Sequence, residues 1–198
     1  MSEVKSKFDL KNEFQELLTM GEGEKEKILD YCDEIDTLVS KNIGISFKNT
    51  GNLHAAVVMS NIFLNSEKSI KIFAGCFNGE VSGVSIWKKS LEFSFENSLD
   101  LKVDVILEES PKDDSIGFKT IKQLQNLHPE RVTVSLLNSN SGIFKSKRSF
   151  HFTVGDDRMY RFETDTKQFQ AVCNFDDPET SKKLINYFDI MQVNVSSI

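Results

Sequence analysis

Strand-like and helical segments alternate along the middle of the chain, and this alternation constrains the fold more than any other feature of the sequence. Apolar segments at residues 69–77, 101–108 and 132–137 predict three strands, the first of them apolar enough to lie inside a sheet. Amphipathic segments at residues 82–97 and 115–127 predict helices between them. Strands that alternate with helices in this way form parallel sheets with right-handed crossover connections.

The pattern changes after Arg148. Three short strand segments then follow one another, with polar turns at residues 155–157 and 165–167, and hairpin connections of this kind make strands antiparallel. Pro178, with Asp177 before it as a cap, begins a final helix. The sequence therefore predicts an α/β fold with a mixed sheet of about six strands, parallel in its first part and antiparallel in its C-terminal hairpins, flanked by helices.

Helical segments also precede the first predicted strand. Apolar residues at helical spacing predict one helix over residues 8–20 and a second over residues 24–41, and a third, buried helix is predicted to have Asn52 as its cap. We therefore divide the chain into an N-terminal helical extension, residues 1–50, and an α/β domain, residues 51–198. The other face of the second helix is acidic, which is typical of a solvated surface and also fits a docking surface for a partner.

The composition limits the classes of function. With 198 residues, of which 39% are hydrophobic and 16 are phenylalanine, the chain can form a folded domain with a substantial core. Its net charge of −6 gives no overall attraction to nucleic acid or anionic lipid, so a phosphate or nucleic-acid contact would have to be local. The sequence has no apolar run that could span a bilayer and no apolar secretory segment, so we expect a cytoplasmic protein without membrane contact.

The cysteines and histidines do not form a recognisable metal motif. Cys32, Cys76 and Cys173 are far apart and include no Cys-x-x-Cys pair, which indicates buried free thiols in a reducing compartment. His54 and His128 do not complete a set of ligands, and the chain has no glycine-rich phosphate loop. We therefore expect neither a metal site nor a cofactor.

Strand alternation places four polar residues of the C-terminal hairpins on facing strands. His151 and Thr153 share one face of the first hairpin strand, and Arg161 and Glu163 share one face of the next. A row of histidine, arginine and glutamate is the candidate site of this chain. Two interpretations remain open: an Arg-Glu-His network that fixes the strand register, and an anion-binding or phosphodiesterase pocket.

A basic cluster precedes the histidine strand. It consists of Lys145, Lys147 and Arg148. These side chains are candidates for a local phosphate or nucleic-acid contact, and a solvated loop explains them equally well.

The order of elements over residues 52–194 resembles one half of the phospholipase D superfamily. That order is a helix, strand-helix-strand-helix-strand, a histidine-bearing strand, an aspartate-containing turn, a strand that ends in an asparagine, and a helix. The family motif is H-x-K-x-x-x-x-D, with an asparagine at a later strand end. His151 matches its histidine and Asn174 corresponds to its asparagine, whereas Thr153 stands at the lysine and Arg158 at the aspartate, directly after two aspartates.

The resemblance implies roles for these residues. In the family the histidine is the nucleophile that forms a phosphohistidine, the lysine holds phosphate oxygens, and the asparagine lies nearby. Two motifs meet across a pseudo-twofold or dimer axis to form one site. For this chain the resemblance implies His151 as the catalytic residue, with Thr153 and Asn174 beside the bound group. Arg161 on the next strand could supply the missing positive charge if the hairpin lays it beside His151, and Glu163 on the same face would compete for it as an ion-pair partner.

Two functions follow from the degenerate motif. We expect a non-catalytic binding or assembly subunit with a homodimeric or heteromeric protein partner, because the motif's lysine and aspartate are lost while the fold pattern and an acidic helical extension are retained. By analogy with degenerate members of the family, such a subunit could belong to a bacterial defence or nucleic-acid-processing complex. The alternative is a homodimeric nuclease or phosphodiesterase in which two copies of His151 meet across a twofold axis, helped by Arg161 and Asn174.

Overall fold

The computed structural model describes residues 8–77, 79–111, 115–138 and 150–198, and these form one eight-stranded mixed sheet with helices on both faces. The helices are α1 (Leu10–Glu13), α2 (Glu22–Ser40), α3 (Asn52–Leu64), α4 (Ser85–Asn97), α5 (Ile116–Leu127) and α6 (Pro178–Gln192), with a 3-10 helix at Gln15–Thr19. The strands are β1 (Phe47–Asn49), β2 (Ser69–Ala74), β3 (Lys102–Leu107), β4 (Val132–Leu137), β5 (His151–Gly155), β6 (Met159–Asp165), β7 (Gln170–Asn174) and β8 (Val195–Ser197).

The strand order is β1-β7-β6-β5-β2-β3-β4-β8. Strands β2, β3 and β4 are parallel to one another, and every other pair is antiparallel. The predicted parallel part and the predicted C-terminal hairpins are both confirmed. The sheet exceeds the expected six or so strands because β1 and β8, at its two edges, are three residues each and too short to show an alternating pattern.

The two faces of the sheet bury separate hydrophobic clusters. On one face Ile72 and Val105 pack with Trp87 of α4 and Ile121 of α5. On the other face Phe73, Phe152 and Tyr160 pack with the final helix through Phe188, together with the partly buried Leu184 and Ile185.

The N-terminal extension packs into the same core as the α/β unit. Leu10, Phe14 and Leu17 are buried in a cluster that also contains Ala56 and Val57 of α3. The extension therefore contributes to the hydrophobic core.

The helix predicted over residues 8–20 is divided after Glu13. The backbone N–H of Gln15 donates to the hydroxyl of Ser85 at 2.9 Å instead of continuing the helix. The carboxylate of Glu16 then accepts from the N–H of Ser85 at 2.8 Å and from its hydroxyl at 2.7 Å. Because α4 has no side-chain cap of its own, Glu16 supplies an acceptor at its N-terminus from another segment.

The predicted cap of α3 is wrong by one residue. Gly51 is the cap and Asn52 the first residue of the helix. Gly51 has a φ of 90°, a conformation that favours glycine, and its N–H donates to the carbonyl of Gln168 at 3.1 Å. This contact ties the start of α3 to the β6–β7 turn.

Neither metal clusters nor membrane-spanning helices occur in the described part of the chain. No group of three or more His, Cys, Asp or Glu side chains there is arranged to hold a metal ion. None of its helices combines the length and apolarity required to cross a bilayer.

Candidate functional site

The hairpin of β5 and β6 brings the four predicted polar residues together. His151 is the register partner of Glu163, and Thr153 is the register partner of Arg161. Because alternate side chains of a strand share a face, all four lie on the face of the sheet opposite α6. The alternation read from the sequence is present in the structure.

The sheet order places this row at the carboxyl ends of the parallel strands. Phe152 pairs with Phe73 in the antiparallel β5–β2 ladder, so His151 lies beside the end of β2. A methyl group at Gly75, just after β2, would meet Cε1 of His151 at 3.2 Å, so the absence of a side chain there leaves room for the imidazole ring. Crevices at the carboxyl ends of parallel strands are where α/β proteins bind ligands.

The imidazole of His151 lies between two carboxylates. Its Nδ1 is 3.4 Å from Oε1 of Glu163, and its Nε2 is 3.6 Å from Oε2 of Glu108, which follows β3. The side chain of His151 is 20% exposed and that of Glu108 is 8% exposed. Burial lowers the pKa of His151, but the Glu108 and Glu163 carboxylates outweigh it and raise that pKa above its ordinary value.

Arg161 and Glu163 form a buried ion pair on β6. Nη1 of Arg161 donates to Oε2 of Glu163 at 2.7 Å, and the two side chains are 5% and 6% exposed. Burial raises the pKa of the Glu163 carboxyl, but the hydrogen bond to His151 and the Arg161 charge outweigh it and lower that pKa. Glu163 is therefore an anion shared between a guanidinium and an imidazole.

The remaining donors of Arg161 reach the edge of the sheet. Its Nε donates to Oδ1 of Asn49 on β1 at 3.3 Å, and its Nη2 donates to the carbonyl of Phe169 at 2.9 Å. The thiol of Cys173 donates to the same Asn49 oxygen at 3.2 Å, and burial raises the pKa of this thiol to about 12. The guanidinium is thus held by three acceptors from three parts of the chain.

Other residues of the candidate motif lie elsewhere or have structural partners. Thr153 is 3% exposed and lines the cavity. Asn174 pairs with Tyr160, on the opposite face from Arg161, and its side chain contacts Ser46 and the N–H of Asp176. The structure therefore does not bring Asn174 to His151.

The turn that follows β5 holds neighbouring loops in place through hydrogen bonds. Asp156 accepts hydrogen bonds from the backbone N–H groups of Glu67, Lys68 and Ser69 at 3.1, 2.9 and 3.0 Å. Arg158 donates to the carbonyl of Phe175 at 2.9 Å. Both residues connect loops and do not line the cavity beside His151.

Three of the predicted binding residues lie outside the described residues. They are Lys145, Lys147 and Arg148.

A cavity of about 240 Å³ adjoins the polar row. Its walls combine aromatic and polar residues: Phe73, Phe77, Trp87, Phe169, Cys76, Ser82, Glu108, Glu109, His151, Thr153, Arg161 and Glu163. Cys76 is the partly exposed one of three free cysteines, so the expectation that all three are buried holds for Cys32 and Cys173 only. The cavity can accept a small organic group in contact with the imidazole.

Glu108 is a site residue that was not predicted from the sequence. Its signal is its position at the end of the strand predicted over residues 101–108, where side chains meet at the carboxyl edge of a parallel sheet; β3 itself ends at Leu107. A prediction of the contact with His151 also requires that β5 lies next to β2, and the order of elements along the chain does not determine that pairing.

Neither protein-family models nor curated protein sequences match this chain. Solved structures do. Nuc from Salmonella typhimurium, a phospholipase D family member, has a TM-score of 0.53 at 11% identity, with 78% of this chain and 99% of that chain covered. NucT from Helicobacter pylori has a TM-score of 0.54 at 13% identity, with the same two shares covered, 78% and 99%.

A third structure is similar over more of this chain. TrmBL2, an archaeal chromatin protein with a novel mode of DNA binding, has a TM-score of 0.57 at 9% identity. The match covers 89% of this chain and 63% of TrmBL2. At such low identities the similarity concerns the fold. With its parallel centre, its histidine-bearing hairpin and these structural relatives, the chain has a phospholipase D-like fold.

Proposed function

We propose that this chain is a non-catalytic phospholipase D-like subunit that binds a ligand or a protein partner and does not cleave phosphodiesters. One observation carries the proposal: His151 lies between the carboxylates of Glu108 and Glu163. A histidine nucleophile attacks through an unprotonated ring nitrogen. Here both nitrogens face carboxylates that favour the imidazolium form, which has no lone pair to use in the ring plane.

The cation that would hold a phosphate is also replaced. Thr153 has no charge, and Arg161, the one arginine or lysine among the described residues that line the cavity, already donates to Glu163, Asn49 and Phe169. A preorganised donor aimed at developing charge is worth about 3 kcal/mol. An arginine engaged by a buried carboxylate supplies less, because the pair is already neutral.

A hydrolysis assay tests the proposal. Purified protein would be incubated with bis(p-nitrophenyl) phosphate and with single-stranded and double-stranded DNA, beside the His151→Ala variant at equal concentration. We expect the two proteins to give the same background release of product. Turnover by the wild type that His151→Ala abolishes would refute the proposal.

A second candidate function rests on the contact of Nδ1 of His151 with Glu163. A carboxylate on one ring nitrogen orients an imidazole for chemistry at the other, and this supports a phosphodiesterase in which two chains place their His151 residues together. Such an enzyme requires a dimer, because one chain carries one histidine motif. Sedimentation equilibrium at micromolar concentration tests for the dimer, and a monomer would exclude the phosphodiesterase. A dimer that also shows His151-dependent turnover would establish the phosphodiesterase and refute the non-catalytic function.

A further inference from the structure

Two phenylalanines on the cavity wall have a backbone conformation that is unusual for bulky residues. Phe77 has a φ of 49° and Phe169 a φ of 53°. The other described non-glycine residues with positive φ are Asn42 and Asp156, which belong to types that tolerate this region. Both phenylalanines line the same cavity, so the strained aromatic positions of the described chain are concentrated at one place.

Each of these phenylalanines is held by a hydrogen bond to its carbonyl. The hydroxyl of Ser115, the cap of α5, donates to the carbonyl of Phe77. Nη2 of Arg161 donates to the carbonyl of Phe169 at 2.9 Å. Strained backbone persists only where its surroundings fix it, and it occurs preferentially at ligand clamps and active sites. The fold therefore places two aromatic rings on this wall at a conformational cost.

The cavity wall also includes buried donors. Among the described residues, Nε1 of Trp87 and the hydroxyl of Ser82 have no hydrogen-bond partner, and the two residues are 0% and 4% exposed. Both line the cavity. A tryptophan N–H can only donate, and a buried donor without an acceptor is costly. A ligand whose hydrogen-bond acceptor reached either donor would remove that cost.

The charges on the wall disfavour phosphate as that acceptor. Three carboxylates line the cavity, those of Glu108, Glu109 and Glu163, against the two cationic partners Arg161 and His151. The wall therefore has no surplus positive charge to attract a phosphate group. A flat heterocycle with ring nitrogens or carbonyl groups provides an acceptor without negative charge. It also gains from stacking on aromatic side chains, which is worth about 1–3 kcal/mol per base in nucleic-acid complexes.

We propose that the cavity binds a nucleobase, presented by a free nucleoside or by an unstacked base of a single strand, with the aromatic wall of Phe77 and Phe169 as its platform and Trp87 as a donor. The proposal rests on the non-catalytic binding function proposed above and names its ligand class. The cavity, at about 240 Å³, has room for one base and not for a run of stacked bases.

Tryptophan fluorescence offers a direct test, because Trp87 is the only tryptophan in the chain. The full chain would be titrated with adenosine, guanosine, cytidine and uridine, with ribose 5-phosphate and inorganic phosphate, and with a short single-stranded oligonucleotide. We expect a saturable change with at least one nucleoside, at an affinity at least about tenfold above that for ribose 5-phosphate. No saturable change with any nucleoside would overturn the proposal.

The Phe169→Gly variant separates binding from folding. Glycine accepts the backbone conformation of Phe169, so the variant should unfold at the same urea concentration as the wild type or a higher one. Loss of the ring should reduce nucleoside affinity about tenfold. Phe162→Ala, on the other face of the sheet, is the matched control and should bind normally. Undiminished binding by Phe169→Gly would contradict the proposed site.

The remaining results distinguish the two proposals and the two sources of the base. Oligonucleotide binding that competes with the nucleoside assigns the base to a single strand, and nucleoside binding alone assigns it to a small molecule. Both results support the proposal that the cavity binds a nucleobase. His151-dependent hydrolysis would refute the non-catalytic function even if nucleosides bind. If the protein neither hydrolyses phosphodiesters nor binds nucleosides, only the proposed ligand class is refuted.

Discussion

Nε2 of His151 lies 3.6 Å from Oε2 of Glu108, and this contact joins the first residue of β5 to the residue that follows β3. On the other side of the ring, Glu163 of β6 completes a bridge from carboxylate to imidazole to carboxylate. The bridge joins β6 and β5 to the end of β3, across the intervening β2, so its protonation state affects both the cavity and the stability of the hairpin.

Glu108→Gln should lower the pKa of His151 toward its ordinary value of about 6.5, because one of the two charges that raise it is removed. A raised histidine pKa stabilises the fold fully below the unfolded value, and that contribution is lost as pH rises through the folded value. The variant should therefore be less stable than the wild type near pH 6, by about 1.4 kcal/mol for each unit that the pKa falls, and this part of the loss should disappear at higher pH. NMR titration of the histidine ring protons and urea unfolding at pH 6 and pH 9 measure both quantities.

Glu130→Gln is the control for this experiment. Its carboxylate lies 4.0 Å from Nδ1 of His128 at the surface, where solvent screens the pair. It should change stability by less than about 0.5 kcal/mol at either pH. A Glu108→Gln variant whose His151 pKa equals that of the wild type would show that the carboxylate does not stabilise the imidazolium.

Arg161→Met should destabilise the fold by about 3–5 kcal/mol, because Glu163 would lose its closest cation in a buried position. Arg161→Met with Glu163→Leu should cost less than the sum of the single changes, since neither charge is then left alone. Equilibrium urea unfolding measures the three variants.

Lys183→Met is the matched control for Arg161→Met. It removes the exposed partner of Glu179 on α6, whose side chain is 2.6 Å away, and should leave the urea midpoint close to that of the wild type because solvent screens this pair. Equal losses from Arg161→Met and Lys183→Met would contradict the assignment of a buried ion pair.

Asp156→Ala should destabilise the fold by about 2 kcal/mol, because three backbone N–H groups of residues 67–69 would lose their acceptor. Asp156→Asn, which retains one carbonyl oxygen, should lie between the wild type and the alanine variant. Asp157→Ala, at the exposed neighbouring position, should be nearly neutral. Thermal unfolding of the four proteins at one pH gives the ranking, and a neutral Asp156→Ala would exclude the structural role.

Glu16→Ala should loosen the N-terminal segment, because its carboxylate is the acceptor for the first N–H of α4. Losing a helix cap costs about 1 kcal/mol, so we expect faster cleavage near the 3-10 helix under limited proteolysis while the rest of the chain stays resistant. Glu26→Ala on the exposed face of α2 is the control, and identical cleavage rates in the two variants would contradict the capping role.

Much of the architecture could be read from the sequence because its strongest signals are local. The alternation of polar and apolar residues in β5 and β6 predicts the shared face of His151, Thr153, Arg161 and Glu163, and the register confirms it. The ion pair of Arg161 with Glu163 follows from their spacing of two along a strand.

The parts that the sequence did not predict depend on pairings between distant segments. Glu108 reaches His151 only because β5 inserts beside β2. Asn174 corresponds to a family position but faces away from the cavity, since the register of β7 pairs it with Tyr160. Residues 47–49 appear in a turn-rich segment, and only the neighbouring β7 makes them a strand.

The side chain of Asn49 connects the edge strand β1 to the candidate site. This residue of β1 lies between the N-terminal helices and the α/β unit, and its side-chain oxygen accepts from both Arg161 and Cys173. Detachment of β1 from the sheet would take one acceptor from the guanidinium that holds both Glu163 and the Phe169 carbonyl. The hydrogen bonding of the guanidinium on the cavity wall thus depends on a single amide group of the edge strand.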